Sequence, residues 1–180
     1  QEVWNVHVTK GMEMRTIGNR QVCTFSDMKN NYYEILEETA EKFPDKIGFS
    51  DNWNRAYTYG TFIGMVDDFA QWLKEGLQRG QHVGMLLHNS IEFCTVFYAI
   101  CKIGAVVIPF PSKYREHEIQ ALIEKADIDL LVAAERFTDW VKKYEEQFPI
   151  VLTRKKDMDS GILNCRKEKE AVHRESLKMR

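Results

Sequence analysis

Few residues in this sequence stand where chemistry would be expected. Ser112 and Lys113 follow the apolar run Ala105–Ile108 and precede a helical pattern. A lysine ammonium and a helix amino-terminus near one point suit a phosphate; the plain alternative is a solvated loop. His88 and Ser90 lie two apart after another apolar run and resemble half of a hydrolytic pair. No third member suggests itself, and capping of the next helix by Asn89 or Ser90 is the better reading. Asp67 and Asp68 are adjacent acids. Neighbours on a helix point about 100° apart, so they read as a solvated face rather than an acid–base pair.

Common signatures are missing. The loop after Leu87 has no glycine, and no GxGxxG follows a strand, so a dinucleotide pyrophosphate has no obvious cradle. There is no GxxxxGK[ST] and no GxSxG, which removes a P-loop and a nucleophile elbow. Cysteines stand at 23, 94, 101 and 165, without a CxxC, and the histidines are scattered without an HExxH. Cys94 and Cys101 would lie about 10 Å apart by helical rise, too far for a disulfide. Reduced, buried thiols in a cytoplasmic protein are the expectation.

The elements that must carry these residues centre on 82–109. Val83–Leu87 and Ala105–Ile108 are short apolar runs of the kind that parallel strands bury on both faces. Between them Ile91–Ile103 is a helix-length run, apolar nearly all round, which needs cover on every side. Asn89 or Ser90 starts it and Gly104 ends it. The unit reads as strand–helix–strand with a right-handed crossover.

Upstream, Asn31–Phe43 is an amphipathic helix with Tyr33, Leu36, Ala40 and Phe43 inward, stopped by Pro44. Lys46–Ser50 and Arg55–Thr58 predict a hairpin around Asp51–Asn54. Thr58 caps a helix that runs to about Arg79, with Phe62, Val66, Phe69, Ala70, Leu73 and Leu77 on one face. Downstream come a helix with Ile119, Leu122, Ile123 and Ala126 inward, a strand at Asp129–Ala133, a helix over Glu135–Phe148 and a strand at Ile150–Leu152. The alternation predicts an α/β fold, an open, mostly parallel sheet with helices on both faces. Val3–Val8 is a candidate strand and Lys10–Arg20 a polar loop.

The chain has 180 residues, 44% of them hydrophobic, enough for one core. A net charge of −2 argues against nucleic acid as a partner of the whole chain. No apolar run nears the about 18 residues of a membrane span, and the start lacks a secretory pattern. Residue 1 is Gln, which predicts a processed or cut chain. Residues 153–180 hold nine Lys or Arg against five Asp or Glu, with few apolar residues. We expect a flexible basic tail there, after an extension over 1–27 and a folded subdomain over 28–152.

Between residues 32 and 141 the sequence resembles the beginning of the adenylate-forming ligases: acyl- and aryl-CoA synthetases, peptide-synthetase adenylation domains and luciferases. Tyr33–Lys46 is similar to the opening helix and its A-x-x-x-P-D-K ending. Tyr57-Thr58-Tyr59-Gly60, then Phe62, resembles the first core motif, T-Y-x-E-L. Gly80-Gln81-His82-Val83 stands for G-D-x-V, Asn89–Phe93 for N-S-x-E-F, and Lys102–Pro109 for K-x-G-A-x-x-x-P. Gly60-Thr61 replaces the usual Glu, and Gln81 the usual Asp.

The resemblance implies the N-terminal portion of an acyl-CoA-synthetase-like fold, incomplete. A full relative would adenylate a carboxylic acid with ATP and magnesium, release pyrophosphate, and pass the acyl group to coenzyme A. The Ser/Thr/Gly-rich phosphate loop, the ribose-binding Asp and the catalytic Lys have no counterpart here, so no catalytic or metal-binding residue carries over and this chain alone is expected to be inactive. By the same resemblance, Ser112 and Lys113 occupy a loop on the CoA side. The implied partners are the remainder of the ligase, with self-association of the uncovered portion. Two alternatives stand beside this: a non-catalytic α/β module that binds a protein partner, and an unrelated flavodoxin-like or nucleotide-binding domain.

Overall fold

The computed structural model describes residues 11–153, which divide into two compact units on either side of the Asn30–Asn31 bond. The candidate strand at Val3–Val8 and all but the first residue of the basic tail lie outside the described residues.

In the first unit, β1 (Met12–Ile17) and β2 (Arg20–Phe25) pair antiparallel, from Met12 opposite Phe25 to Ile17 opposite Arg20. This corrects the polar loop expected over Lys10–Arg20. A two-residue Gly18-Asn19 turn drives the hairpin, and charged residues interleaved along both strands hide the alternation. Cys23 is exposed here, so the expectation of buried thiols fails at that position.

The second unit begins with α1 (Tyr32–Lys42), whose Asn31 cap accepts from the Tyr33 and Glu34 amides. Tyr33, Leu36 and Ala40 are buried as expected, while Phe43, past the helix end, is exposed. Next, β3 (Ile47–Ser50) and β4 (Ala56–Thr58) form the expected hairpin. Helix α2 (Tyr59–Lys74) follows, its Thr58 cap accepting from the Thr61 amide at 3.2 Å. It stops five residues before Arg79, and Leu77 is buried in the turn beyond it.

The core alternation is then β5 (His82–Leu86), α3 (Ile91–Ile103), β6 (Val106–Pro109), α4 (Glu116–Lys125), β7 (Leu130–Ala134) and β8 (Ile150–Thr153). Ser90 caps α3 and Gly104 ends it at φ +72°, a conformation that costs little only for glycine. The helix expected over Glu135–Phe148 is broken. A 3-10 turn at Glu135–Phe137, the single α-helical turn α5 (Thr138–Val141) and a second 3-10 turn at Lys142–Tyr144 replace it. Thr138, Asp139, Trp140 and Val141 are all modest helix formers, and no side chain caps the start. Phe137, Val141, Tyr144 and Phe148 are nonetheless buried.

The four central strands are parallel, in the order β6-β5-β7-β8. Alternation along β7 sorts the core into two layers. Leu130 and Val132 join α1, α2 and α3 on one face. Leu131 and Ala133 join Ile119 and Ile123 of α4, with Phe137 and Tyr144, on the other. Helices on both faces of a parallel sheet are what the sequence predicts.

Candidate functional site

In an open parallel sheet, ligands bind past the carboxyl ends of strands where successive connections leave for opposite faces. Here β5 leads to α3 on one face, whereas β6 leads to α4 on the other. The segment after β7 also packs on the α4 face, so in the order β6-β5-β7-β8 the switch point falls between β5 and β7, and a cavity of about 750 Å³ opens past the ends of β6, β5 and β7.

Three loops line it. His88 and Asn89 come from the end of β5, Pro111 to Tyr114 from the end of β6, and Arg136 from the turn after β7. The β6 loop is set by Phe110, whose amide donates to the Met85 carbonyl at 2.8 Å and whose ring is buried beneath the sheet edge. Gly84 makes that possible. A Cβ at this position would lie 2.8 Å from the Phe110 ring and 2.9 Å from Leu131. Arg136 closes the ring of loops. Its Nη2 donates to the Ser112 carbonyl at 2.9 Å, and its guanidinium lies 4.3 Å from the Phe137 ring centroid.

The electrostatics have one sign. Lys113 and Arg136 bring positive charge, and among the described residues no carboxylate lines the cavity. His88 stands against the Phe137 ring, 5.6 Å between centroids. Its burial, and then the charge of Arg136, hold its pKa below the ordinary histidine value, which favours the neutral ring. Two cations, imidazole and hydroxyl donors and the absence of acids suit a phosphate ester. They do not suit magnesium, which takes carboxylate oxygens. Among the described residues, no group of three His, Cys, Asp or Glu side chains converges on a metal position.

Sequence reasoning places Ser112 and Lys113 at a strand end, and the structure puts both in this cavity. Arg136 had no motif to betray it, because its role depends on the broken helix after β7. His88 and Ser90 do not form a hydrolytic pair through their side chains. The Ser90 hydroxyl accepts from the Phe93 amide and donates to the backbone carbonyl of His88. Asp67 departs from a purely solvated role: it accepts from Lys102 at 2.6 Å and from the Tyr33 hydroxyl at 2.9 Å, tying α1, α2 and α3 together. Cys94 and Cys101 are pushed up in pKa by burial, Cys94 further by Glu92, and stay thiols.

A family model described as AMP-binding enzyme matches residues 36–178. The chain belongs to this family. It is 29% identical over 143 residues to a medium-chain fatty-acid–CoA ligase of Escherichia coli (strain K12), covering 76% of this chain and 25% of that protein. It is 27% identical over 127 residues to a 3-oxocholest-4-en-26-oate–CoA ligase of Rhodococcus rhodochrous, covering 70% and 23%. The chain thus spans about a quarter of the length of these relatives. Its fold matches the crystallised N-terminal domain of FACL13 from Mycobacterium tuberculosis, with a TM-score of 0.65 at 20% identity, covering 78% of this chain and 36% of that one. The chain therefore has the fold of an N-terminal part of the adenylate-forming ligases. Among the described residues no helix is long and apolar enough to cross a membrane.

Proposed function

We propose that this chain serves an AMP-forming acyl-CoA synthetase and that its cavity holds the phosphate end of coenzyme A. In the whole ligase, ATP and magnesium would activate a carboxylic acid as its adenylate, and the CoA thiol would then take the acyl group. The residues described here make and break none of those bonds. Lys113 and Arg136 neutralise the phosphomonoester, the Ser112 loop shapes its seat, and the thiol end is left free to reach the reacting carbonyl elsewhere in the protein. The observation that carries the reading is the convergence of Lys113 and Arg136 past the strand ends at the switch point of the sheet, with no carboxylate among the described residues that line the cavity.

The test is calorimetric titration of the chain with coenzyme A and with its 3′-dephospho form. We expect the dephospho form to bind about tenfold more weakly, as suits loss of a charge-assisted contact. Equal affinities would refute the assignment.

Tyr32, Ile35, Phe43 and Ile47 are each at least half exposed. This surface supports further protein covering α1 and β3, either the remainder of a ligase or, if the chain acts alone as a binding module, a separate partner. An antibody to the chain separates the two. A native band far above 21.1 kDa supports the ligase, and a band at that mass supports the module.

A further inference from the structure

We propose that binding of a phosphomonoester in this cavity draws a proton from solvent onto His88, which makes ligand affinity fall as pH rises. The inference rests on the coenzyme A reading and adds its regulation by pH. It starts from position. His88 lines the same cavity as Lys113 and Arg136, where any anion held by those cations would lie before the imidazole.

The charged and titratable groups facing His88 can be taken element by element. The turn after β7 presents Arg136, with the Phe137 ring tilted against the imidazole at 5.6 Å between centroids. Lys113 and Tyr114 face the cavity from the loop after β6. On its own loop, Asn89 and Ser90 carry no charge. Among the described residues, no acid lines the cavity. Without ligand, burial and the neighbouring Arg136 therefore both oppose the imidazolium. A phosphate dianion reverses the second influence outright: it offsets the guanidinium charge and offers the imidazolium an acceptor. The bound state then favours His88 protonated, with both ring nitrogens able to donate. No covalent bond changes. One proton moves from solvent to a ring nitrogen.

The sign follows from linkage. A group whose pKa is higher in the complex than in the free protein strengthens binding at low pH, and that gain disappears as pH rises through the bound-state value. Below about pH 6 the phosphomonoester itself takes up a proton and weakens the effect. The informative range therefore lies above about pH 6.5.

The experiment is calorimetric titration of the chain with coenzyme A between about pH 6.5 and pH 8.5, in buffers of different ionisation enthalpy. We expect net proton uptake near pH 7 and a Kd that rises about threefold or more across the range. In His88→Gln, uptake disappears and the Kd becomes nearly flat with pH. Tight but pH-independent binding without uptake would overturn the proton linkage and leave the coenzyme A reading standing. Uptake that persists in His88→Gln would overturn the assignment to His88. Absence of coenzyme A binding at every pH would overturn both readings together. The unmodified chain decides the linkage by its own uptake, even if the variant folds poorly.

Discussion

Arg136 donates from Nη2 to the backbone carbonyl of Ser112 at 2.9 Å, so a guanidinium standing after β7 holds the loop that follows β6. The side chain is exposed and lines the cavity that Lys113 shares. Arg136→Ala should weaken coenzyme A binding by about tenfold through the loss of one charge-assisted contact. Melting should move little, since exposed positions usually change stability by about 0.5 kcal/mol or less. Arg136→Lys should recover part of the affinity, because a point charge replaces the fork without bridging to Ser112. Calorimetry read beside thermal melting separates these effects.

Gly84 lies in β5 where Phe110 and Leu131 close over it. Gly84→Ala should cost about 1–3 kcal/mol by overpacking and should displace Phe110, and with it the Ser112–Lys113 loop. Denaturant melts and coenzyme A titration should both shift. A fully stable variant that keeps its affinity would show that the ring does not set the loop.

How legible all this was depends on whether the signal was local. Helices α1 and α3 and the four parallel strands can be read from apolar runs and period, from Asn89 or Ser90 as the start of α3 and from Gly104 as its stop. The β1–β2 hairpin was missed because its apolar residues, Met12, Met14 and Phe25, are diluted by charges. The helix expected over Glu135–Phe148 fails because Phe137, Val141 and Tyr144 are buried equally well by a string of short turns against α4. Within the site, Ser112 and Lys113 follow a strand in sequence and could be found. Arg136 reaches Ser112 across 24 positions, and nothing in a single sequence marks that pairing.

Arg55 binds two acids at once. Its Nη1 donates to Glu92 at 2.5 Å and its Nε to Asp51 at 2.8 Å, with all three side chains at most 12% exposed. The group fastens the β3–β4 hairpin to the first turn of α3. Arg55→Ala would strand both carboxylates and should cost about 3 kcal/mol, read from urea melts.

The same cluster sets an acid response. Burial by itself would raise the Asp51 pKa, but the Arg55 side chain and the amides of Trp53 and Arg55 outweigh it and hold the carboxyl below the ordinary value. A depressed carboxyl pKa stabilises the fold above the unfolded-state value, near pH 4, and that stability is lost as pH falls through the folded-state value. Stability should therefore drop on acidification below about pH 4, and Asp51→Asn should flatten that drop. An unchanged acid limb in the variant would place the response elsewhere.

The account assigns these residues to ligand holding rather than bond making. Purified chain should give no ATP–pyrophosphate exchange with any carboxylic acid. Exchange above a protein-free control would mean that the chain carries an adenylating site of its own.

The most direct test of the central claim is to titrate the isotope-labelled chain with coenzyme A and follow backbone amide and histidine ring resonances. The account predicts saturable shifts confined to His88, Asn89, Ser112, Lys113, Tyr114 and Arg136, and much smaller shifts with the dephospho form. Shifts centred elsewhere on the chain, or none at saturating coenzyme A, would contradict it.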